Sequence, residues 1–184
     1  MSESKPYAVA VVPYNTVWPA AFEAERERLL AMLAPNVSRI EHVGSTSVPG
    51  QAAKPILDLF AAARPLLSEA EYAERLREAG YAYQKTGMVG RHLFYREAGT
   101  GARTHHLHLL PEEGFYERNE ILLRDYLRAH PAEVEAYGAL KRELAKRYAA
   151  DPDGYTRAKT SFIQRIVDAA RTERGLPLES VWEE

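Results

Sequence analysis

Cysteine is absent from the 184 residues of the chain. Its absence excludes disulfides, thiolate metal ligands and cysteine nucleophiles, so any chemistry depends on Ser, Thr, His, Asp, Glu, Lys and Tyr. Long apolar runs are absent as well: no stretch approaches the roughly 18 residues of a membrane-spanning helix, and the N-terminal residues lack the layout of a signal peptide. These absences predict a soluble, cytoplasmic protein with no membrane partner.

Neither sign of charge is in strong excess, because 24 Lys and Arg residues are balanced by 26 Asp and Glu residues. The basic surplus typical of nucleic-acid-binding proteins is missing, which disfavours nucleic acids as partners. Hydrophobic residues make up 46% of the chain, enough for one sizeable core but not for two full domains. The composition therefore predicts a single domain over residues 1–184.

The spacing of apolar residues predicts an α+β protein in which helices pack on a small mixed β-sheet. After a short N-terminal strand the predicted order is helix, two strands, helix, three strands and three helices, with the helical C-terminal part at about 116–174. Ser68 and Glu71 form a capping box for the second helix, and Gly80 ends it. The predicted strands cover 7–12, 37–43, 55–62, 81–86, 91–96 and 103–111, and the predicted helices cover 18–34, 69–79, 117–129, about 134–148 and a last segment from the sequence DPDG to about 170.

A Gly, Ser and Thr turn stands at residues 44–47, inside the stretch EHVGSTSVPGQAAKPILDLF. Backbone amides in such a turn can converge on an anion, and the hydroxyls of Ser45, Thr46 and Ser47 add neutral donors for phosphate oxygens. The turn is not a Walker loop, because five residues separate Gly44 from Gly50 and no Lys follows at once. A phosphate-binding turn and a merely structural connector are both consistent with these residues.

Asp58 is the single acid in the apolar strand that follows the turn. Strand alternation places it on one face with Ile56 and Phe60. A carboxylate here suits Mg²⁺, which would bridge it to phosphate oxygens, and Lys54 adds a positive charge for the phosphates. The alternative is a hydrogen-bonded Asp58 at a strand end beside a solvated Lys54.

The sequences HVGSTSVPGQAAKPILDLF, RHLFYR, THHLHLLP and LLRDYLRAHP closely resemble the GrpB family, over roughly residues 10–170. That family is placed in the nucleotidyltransferase superfamily related to DNA polymerase beta. The resemblance implies the minimal nucleotidyltransferase fold, an NTP such as ATP as ligand, and Mg²⁺ or Mn²⁺ as cofactor. Gly44 and Ser45 match the superfamily's Gly-Ser signature, and Asp58 matches one acid of its metal-binding strand. Because some members of the family are fused to dephospho-CoA kinase, the resemblance also implies a link to coenzyme A metabolism.

The chain departs from the superfamily on the acidic strand. Active members usually carry two acids one residue apart, whereas both same-face neighbours of Asp58, Ile56 and Phe60, are apolar. A two-metal site built on one carboxylate lacks ligands. Two hypotheses follow: a metal-dependent nucleotidyltransferase in which Asp58 and Ser45 are catalytic, and a catalytically degenerate module that binds a nucleotide or a phosphorylated metabolite.

Histidines in the sequence RTHHLHLLP provide a third hypothesis. His106 and His108 share one strand face, opposite His105, and two imidazoles at this spacing can share a metal ion in a phosphoesterase. As cations they could instead meet triphosphate oxygens. They can equally be structural histidines on a half-buried strand. The same stretch looks like the H-x-H-x-H pattern of the histidine-triad nucleotide hydrolases with Thr104 in place of the first His, but those enzymes lack the Gly-Ser turn and the Asp strand.

Several further side chains are candidates for the same site. Arg91 and His92 lie on opposite faces of a strand, so only one of them can join it, and Arg91 would suit a phosphate. Lys159 falls on the apolar stripe of the last helix, where it either extends to solvent or reaches a phosphate. Glu41 is a candidate extra carboxylate, and Arg124 a candidate phosphate ligand.

Overall fold

The structure, a computed structural model that describes residues 9–181, contains five strands and six α-helices within that range. The strands are β1 (Val37–Val43), β2 (Leu57–Ala63), β3 (Tyr81–Gln84), β4 (His92–Glu97) and β5 (Arg103–Pro111). The helices are α1 (Trp18–Leu33), α2 (Glu69–Leu76), α3 (Asn119–Ala129), α4 (Pro131–Arg147), α5 (Pro152–Ala158) and α6 (Thr160–Glu173). None of them is long and apolar enough to cross a membrane.

The strands form one mixed sheet in the order β1-β2-β5-β4-β3. β2 and β5 are parallel neighbours, and the other three pairs are antiparallel. In the β2–β5 register Asp58 lies opposite His106, and Phe60 lies opposite His108. The predicted mixed sheet with packed helices is therefore confirmed, and its register puts the candidate acid beside a candidate histidine.

The two faces of the sheet pack on different helices. Leu57, Leu59 and Ala61 belong to the core that includes buried residues of α1 and α2. Phe60 and Ala62 point the other way, into a cluster that includes Ile121 of α3. The predicted alternation on β2 is confirmed, and Asp58 faces the side covered by the C-terminal helices.

Local signals explain where several elements begin and end. Pro19 occupies the first turn of α1, where its missing N–H costs no hydrogen bond. The Ser68 and Glu71 capping box begins α2 as predicted, and after one short 3₁₀ turn Gly80 ends the segment in the left-handed conformation. The predicted β4–β5 hairpin is also present.

Two predicted elements differ from the structure. Residues 7 and 8 of the first predicted strand lie outside the described residues, and in the remainder Val12 makes only an isolated bridge to Ala53. The last predicted helix is divided into α5 and α6 at Lys159. Tyr155 packs with Leu144 whereas Ile166 packs with a different cluster around Leu127, so the change of direction lets each helix bury its own apolar side chains.

Candidate functional site

A cavity of about 240 Å³ lies between the Gly-Ser turn, the β2–β5 strand pair and the C-terminal helices. Among its lining residues are four basic side chains and two carboxylates. The basic side chains are Lys54, Arg124, Lys141 and Lys159, and the carboxylates are Asp58 and Glu120. Ser45 also lines the cavity, so the turn and the acid that the sequence singled out do face one space.

Gly44 brings the turn against the acidic strand. Its φ of +69° and ψ of −176° belong to a region that only glycine adopts readily. A Cβ added here would lie 3.0 Å from Cγ and 3.1 Å from Cβ of Asp58, and closer still to Oδ2. The backbone of Gly44 therefore packs directly on the Asp58 carboxylate, and no side chain fits between them.

The hydroxyls of the turn have different partners. Ser47 Oγ donates to the Gly44 carbonyl at 2.6 Å, and Thr46 Oγ1 donates to the Ile56 carbonyl at 3.2 Å. Thr46 Oγ1 in turn accepts from His42 Nε2 at 2.9 Å. Burial, together with the charges of two nearby arginines, lowers the pKa of His42 to about 4, so its ring is neutral. Thr46 and Ser47 thus hold the shape of the turn, while the Ser45 hydroxyl faces the cavity.

Two arginines of α3 hold the turn from outside. Arg124 Nη1 donates to the His42 carbonyl at 3.0 Å and to Glu41 Oε2 at 2.7 Å. Arg128 donates to the Ser47 carbonyl through Nε at 3.0 Å and Nη2 at 2.7 Å. The predicted candidates Glu41 and Arg124 are therefore ion-paired with each other, and the two arginines hold the backbone on both sides of Gly44.

Asp58 accepts a hydrogen bond from His106, whose Nδ1 lies 3.0 Å from Asp58 Oδ1. Burial raises the pKa of this carboxyl, but the hydrogen bond from His106 and the positive charge of Lys54 outweigh it and bring the pKa below its ordinary value. Asp58 is therefore ionised at neutral pH. With Nδ1 donating, His106 Nε2 is buried without a hydrogen-bond partner among residues 9–181.

His108 lies on the same face but does not line the cavity described above. Its ring sits against Phe60, 5.1 Å between ring centroids, and burial lowers its pKa to about 4. Within residues 9–181 no group of three His, Asp or Glu side chains is arranged to hold a metal ion. The structure thus brings Asp58 and His106 together as a pair and leaves His108 beside them in the apolar layer.

Lys141 is the main residue of the site that the sequence reasoning missed. Its Nζ lies 2.7 Å from Ser45 Oγ, and only 2% of the residue is exposed. Burial, followed by the neighbouring charges of Lys159 and Arg142, lowers its pKa to about 6. The available signal was its position on the buried stripe of α4, four residues after Tyr137 and three before Leu144.

The other two lysines of the cavity lie around the ring of Tyr155. Lys159 Nζ is 4.4 Å and Lys54 Nζ is 5.4 Å from the ring centroid. Burial lowers the pKa of both, and the pKa of Lys159 falls to about 8 because Lys54 adds repulsion that Asp58 only partly offsets. Three amines whose pKa is lowered thus face one small space. A multiply charged anion bound there would offset the repulsion between their protonated forms.

Arg91 and His92 take the two faces that the sequence left undecided. Arg91 Nη1 pairs with Glu120 Oε1 at 2.8 Å, and its guanidinium lies 6.0 Å from the Phe60 ring centroid, on the Asp58 side of the sheet. His92 Nε2 lies 3.0 Å from the Leu67 carbonyl on the opposite side. Arg91 lines a neighbouring cavity of about 400 Å³ that shares Glu120 with the first.

Comparison with known proteins places the chain in a family. A family model described as "GrpB protein" matches residues 8–169. The protein YqkA of Bacillus subtilis (strain 168) is 34% identical over 164 residues, which cover 89% of this chain and 47% of that protein. The chain therefore spans about half the length of this curated relative.

Solved structures agree with the fold. The crystal structure of the conserved protein GrpB from Enterococcus faecalis superposes with a TM-score of 0.82 at 32% identity, covering 90% of this chain and 99% of the other. The Cid1 poly(U) polymerase, solved with Mg and 3′-dATP, matches with a TM-score of 0.55 at 14% identity, covering 82% of this chain and 50% of that one. The fold is thus that of the polymerase-beta-like nucleotidyltransferases, and at this low identity the second likeness shows the fold alone.

One relative bears on the predicted link to coenzyme A. A dephospho-CoA kinase of Mycolicibacterium paratuberculosis is 27% identical over 181 residues, which cover 85% of this chain but only 44% of that protein. The similarity is distant and concerns part of a longer chain. The link to coenzyme A metabolism therefore stays a prediction.

Proposed function

The chain belongs to the GrpB family and has a nucleotidyltransferase-like fold, and from this premise we propose that its central cavity binds a nucleoside triphosphate. The observation that carries the proposal is the convergence of Lys54, Lys141 and Lys159 on the cavity that also holds Ser45 and Gly44. Burial lowers the pKa of all three amines, and the negative charge of a polyphosphate would offset the cost of placing positive charge in this buried space.

Each part of the cavity has a role in this proposal. Ser45 and the backbone of the turn donate to phosphate oxygens, as the polar rim of an anion site does. The lysines add point charges that the protein can position without a fixed geometry. Arg91 is paired with Glu120 in the adjoining cavity. In this proposal it contacts the more distant part of the ligand.

The donor set fits one divalent ion. Asp58 is an ionised carboxylate on the cavity wall, with 31% of its side chain exposed, and its oxygens suit Mg²⁺ or Mn²⁺. Ile56 and Phe60 are buried and apolar, and Glu120, the other carboxylate of the cavity, is paired with Arg91. A second ion held between two carboxylates does not fit these residues. The single ion would add positive charge beside the phosphates.

The single carboxylate favours binding over nucleotidyl transfer. In the two-metal arrangement one ion assists the attacking oxygen and the other the leaving oxygen, and this cavity offers ligands for only one. The lysines compensate for missing positive charge but supply no ligand for a second metal ion. We therefore place the degenerate nucleotide-binding module ahead of the nucleotidyltransferase, with a phosphorylated metabolite as the other ligand of the same chemistry.

Thermal-shift and calorimetric titrations test the proposal with ATP, GTP, CTP and UTP, each with and without Mg²⁺ or Mn²⁺. We expect stabilisation that decreases from tri- to di- to monophosphate, and Asp58→Asn should remove its dependence on the metal ion. Lys159→Met should weaken binding about tenfold or more, whereas Lys146→Met, an exposed lysine of α4, should not. Inorganic tripolyphosphate shows whether the nucleoside contributes.

Two outcomes would contradict these statements. If no nucleotide and no tripolyphosphate stabilises the protein, the cavity is not a phosphate site. If pyrophosphate is released from NTP with multiple turnovers in the presence of a hydroxyl acceptor, and Asp58→Asn abolishes the release, the protein is a nucleotidyltransferase and the preference for binding alone is wrong.

A further inference from the structure

We propose that Ser45 is a nucleophile paired with Lys141 as its base, and that it accepts the terminal phosphoryl group of the triphosphate bound in the cavity. The acceptor role rests on the proposed nucleotide binding, whereas the nucleophile–base pair stands on its own geometry. Ser45 and Lys141 are 96 residues apart in sequence, and the packing of α4 on the turn brings them together.

The geometry is that of an activated hydroxyl. Lys141 Nζ lies 2.7 Å from Ser45 Oγ, within the range in which a base can take a proton from a nucleophile. Among residues 9–181 this is the only hydrogen bond of the amine, whose other close neighbour is the Tyr137 ring, with the centroid at 4.3 Å. Ser45 itself lines the cavity, so a substrate can reach its oxygen.

The surroundings keep the amine neutral in the absence of a ligand. The charged groups that act on Lys141 are Lys159, at the junction of α5 and α6, and Arg142 on its own helix, and both are cationic. Together with burial they lower its pKa to about 6, so at pH 7.5 most molecules carry an amine with a free electron pair beside the Ser45 hydroxyl. A lysine of ordinary pKa would be protonated and could not act as a base.

The proposed step balances without a further reagent. The Ser45 oxygen forms a bond to the γ-phosphorus, the bond from the γ-phosphorus to the bridging oxygen breaks, and a nucleoside diphosphate leaves with the electron pair. The Ser45 proton moves to Lys141 Nζ. Negative charge of the triphosphate stabilises the ammonium that forms on Lys141 as the proton is transferred.

The product explains why the reaction would occur once. Phosphoserine at position 45 places a dianion in the space that Lys54, Lys141 and Lys159 surround, so the product occupies the phosphate site itself. The modification would then oppose rebinding of a triphosphate. Ser45 phosphorylation is thus a self-limiting switch of the nucleotide site.

Radiolabelling tests the acceptor role directly. Full-length protein incubated with ATP labelled at the γ-phosphate and Mg²⁺ should retain about one label per chain, whereas ATP labelled at the α-phosphate should leave none. Tandem mass spectrometry should place the phosphate on Ser45. Ser45→Ala should lose the label, and Lys141→Met should slow labelling about 100-fold or more, the usual contribution of a general base.

A fluorophosphonate probe tests the nucleophile without any nucleotide. We expect covalent modification of Ser45 at a rate that rises with pH through the pKa of Lys141, about 6, and then levels off. Lys141→Met should abolish this pH profile, and Lys141→Arg, which keeps a charge but no base, should not restore the rate. Lys146→Met, which changes an exposed lysine of α4, should keep the profile.

The outcomes separate this inference from the proposed function. If ATP stabilises the protein but neither reagent modifies Ser45, the pair is only structural and the inference is wrong while nucleotide binding stands. If the probe modifies Ser45 but no triphosphate binds, the acceptor role falls together with the proposed function. Alpha-label retained on the chain would instead show nucleotidyl transfer and would overturn the phosphoryl step.

Discussion

At the residue scale, position 141 carries a charged side chain where the pattern of α4 calls for an apolar one. Tyr137 and Leu144 on the same stripe are buried, and Lys141 is buried with them. The amine has lost its hydration and gained one hydrogen bond, to Ser45. A side chain that is costly for folding and faces a cavity is best explained by what it does in that cavity.

Lys141→Met separates these two contributions. Met fills a similar volume without an amine, so we expect the free energy of unfolding at pH 7 to rise by about 1–3 kcal/mol. Triphosphate affinity should fall, because one of the three amines that converge on the phosphate site is lost. Urea denaturation and calorimetric titration measure the two effects, and Lys146→Met on the exposed side of α4 should change neither. A destabilised Lys141→Met protein would contradict this account.

At the element scale, the turn between β1 and β2 depends on Gly44 for two reasons. Its backbone conformation suits glycine, and its Cα packs on the Asp58 carboxylate. Gly50, six residues on, has a similar φ of +79° but open space around it. The two glycines therefore share one source of strain and differ in the other.

Comparison of Gly44→Ala with Gly50→Ala isolates the contact with Asp58. Gly50→Ala should cost about 1–2 kcal/mol of unfolding free energy through backbone strain alone. Gly44→Ala should cost roughly 3 kcal/mol or more, because the new methyl group also displaces Asp58. Urea denaturation of both variants tests this. Equal destabilisation would mean that the turn moves away from the carboxylate without cost.

α3 holds the same turn through Arg128, which donates two hydrogen bonds to the Ser47 carbonyl. Hydrogen bonds from charged groups stabilise by roughly 1.5–3 kcal/mol, so Arg128→Gln should raise local opening of the turn about tenfold or more. Hydrogen exchange of the amides at 44–48 reports this opening. Arg165→Gln removes an exposed ion pair with Glu133 and a contact with the Phe162 ring, and it should leave these amides unchanged. Unaltered exchange in Arg128→Gln would show that the turn is held by its own hydroxyls.

Element types and faces could be predicted from the sequence because they depend on local patterns. The alternation on β2 placed Asp58 opposite Leu57 and Leu59, and the structure confirms it. The contact of Asp58 with His106 could not be predicted, because it depends on β5 lying parallel to β2, a pairing set by the whole sheet. The contact of Lys141 with Ser45 was missed for the same reason: it exists only once α4 packs on the turn.

At the scale of the whole molecule, burial has lowered the pKa of bases throughout the fold. The pKa of His42, His105 and His108 is about 4 in each case, and those of Lys141 and Lys159 are about 6 and about 8. The ordinary pKa is 6.5 for His and 10.5 for Lys. At any pH between its lowered pKa and its ordinary pKa, each group binds fewer protons in the folded chain than in the unfolded chain. The free energy of unfolding must therefore rise with pH across both the histidine range and the lysine range.

The free energy of unfolding declines with rising pH only at high pH. Burial raises the pKa of Tyr81 and Tyr137 above the ordinary value of 10, so the unfolded chain loses these protons first and stability declines above that pH. The histidines add stability as the pH rises from about 4 to 6.5, and the lysines continue the rise toward 10. We therefore expect the ligand-free protein to be most stable near pH 9–10, above the usual optimum of about 5–8.

Urea denaturation at half-unit pH steps checks this expectation. One pH range shows which residue causes the rise in the free energy of unfolding. Between pH 6.5 and 8 the histidines are mostly neutral and Lys159 is mostly protonated in both states, so among these bases Lys141 makes the largest contribution to the slope. The unfolding free energy should rise by up to about 1.4 kcal/mol per pH unit in this range, and Lys141→Met should flatten the slope. A slope that persists in Lys141→Met would show that Lys141 is protonated in the folded chain, and its role as a base for Ser45 would then fail with it.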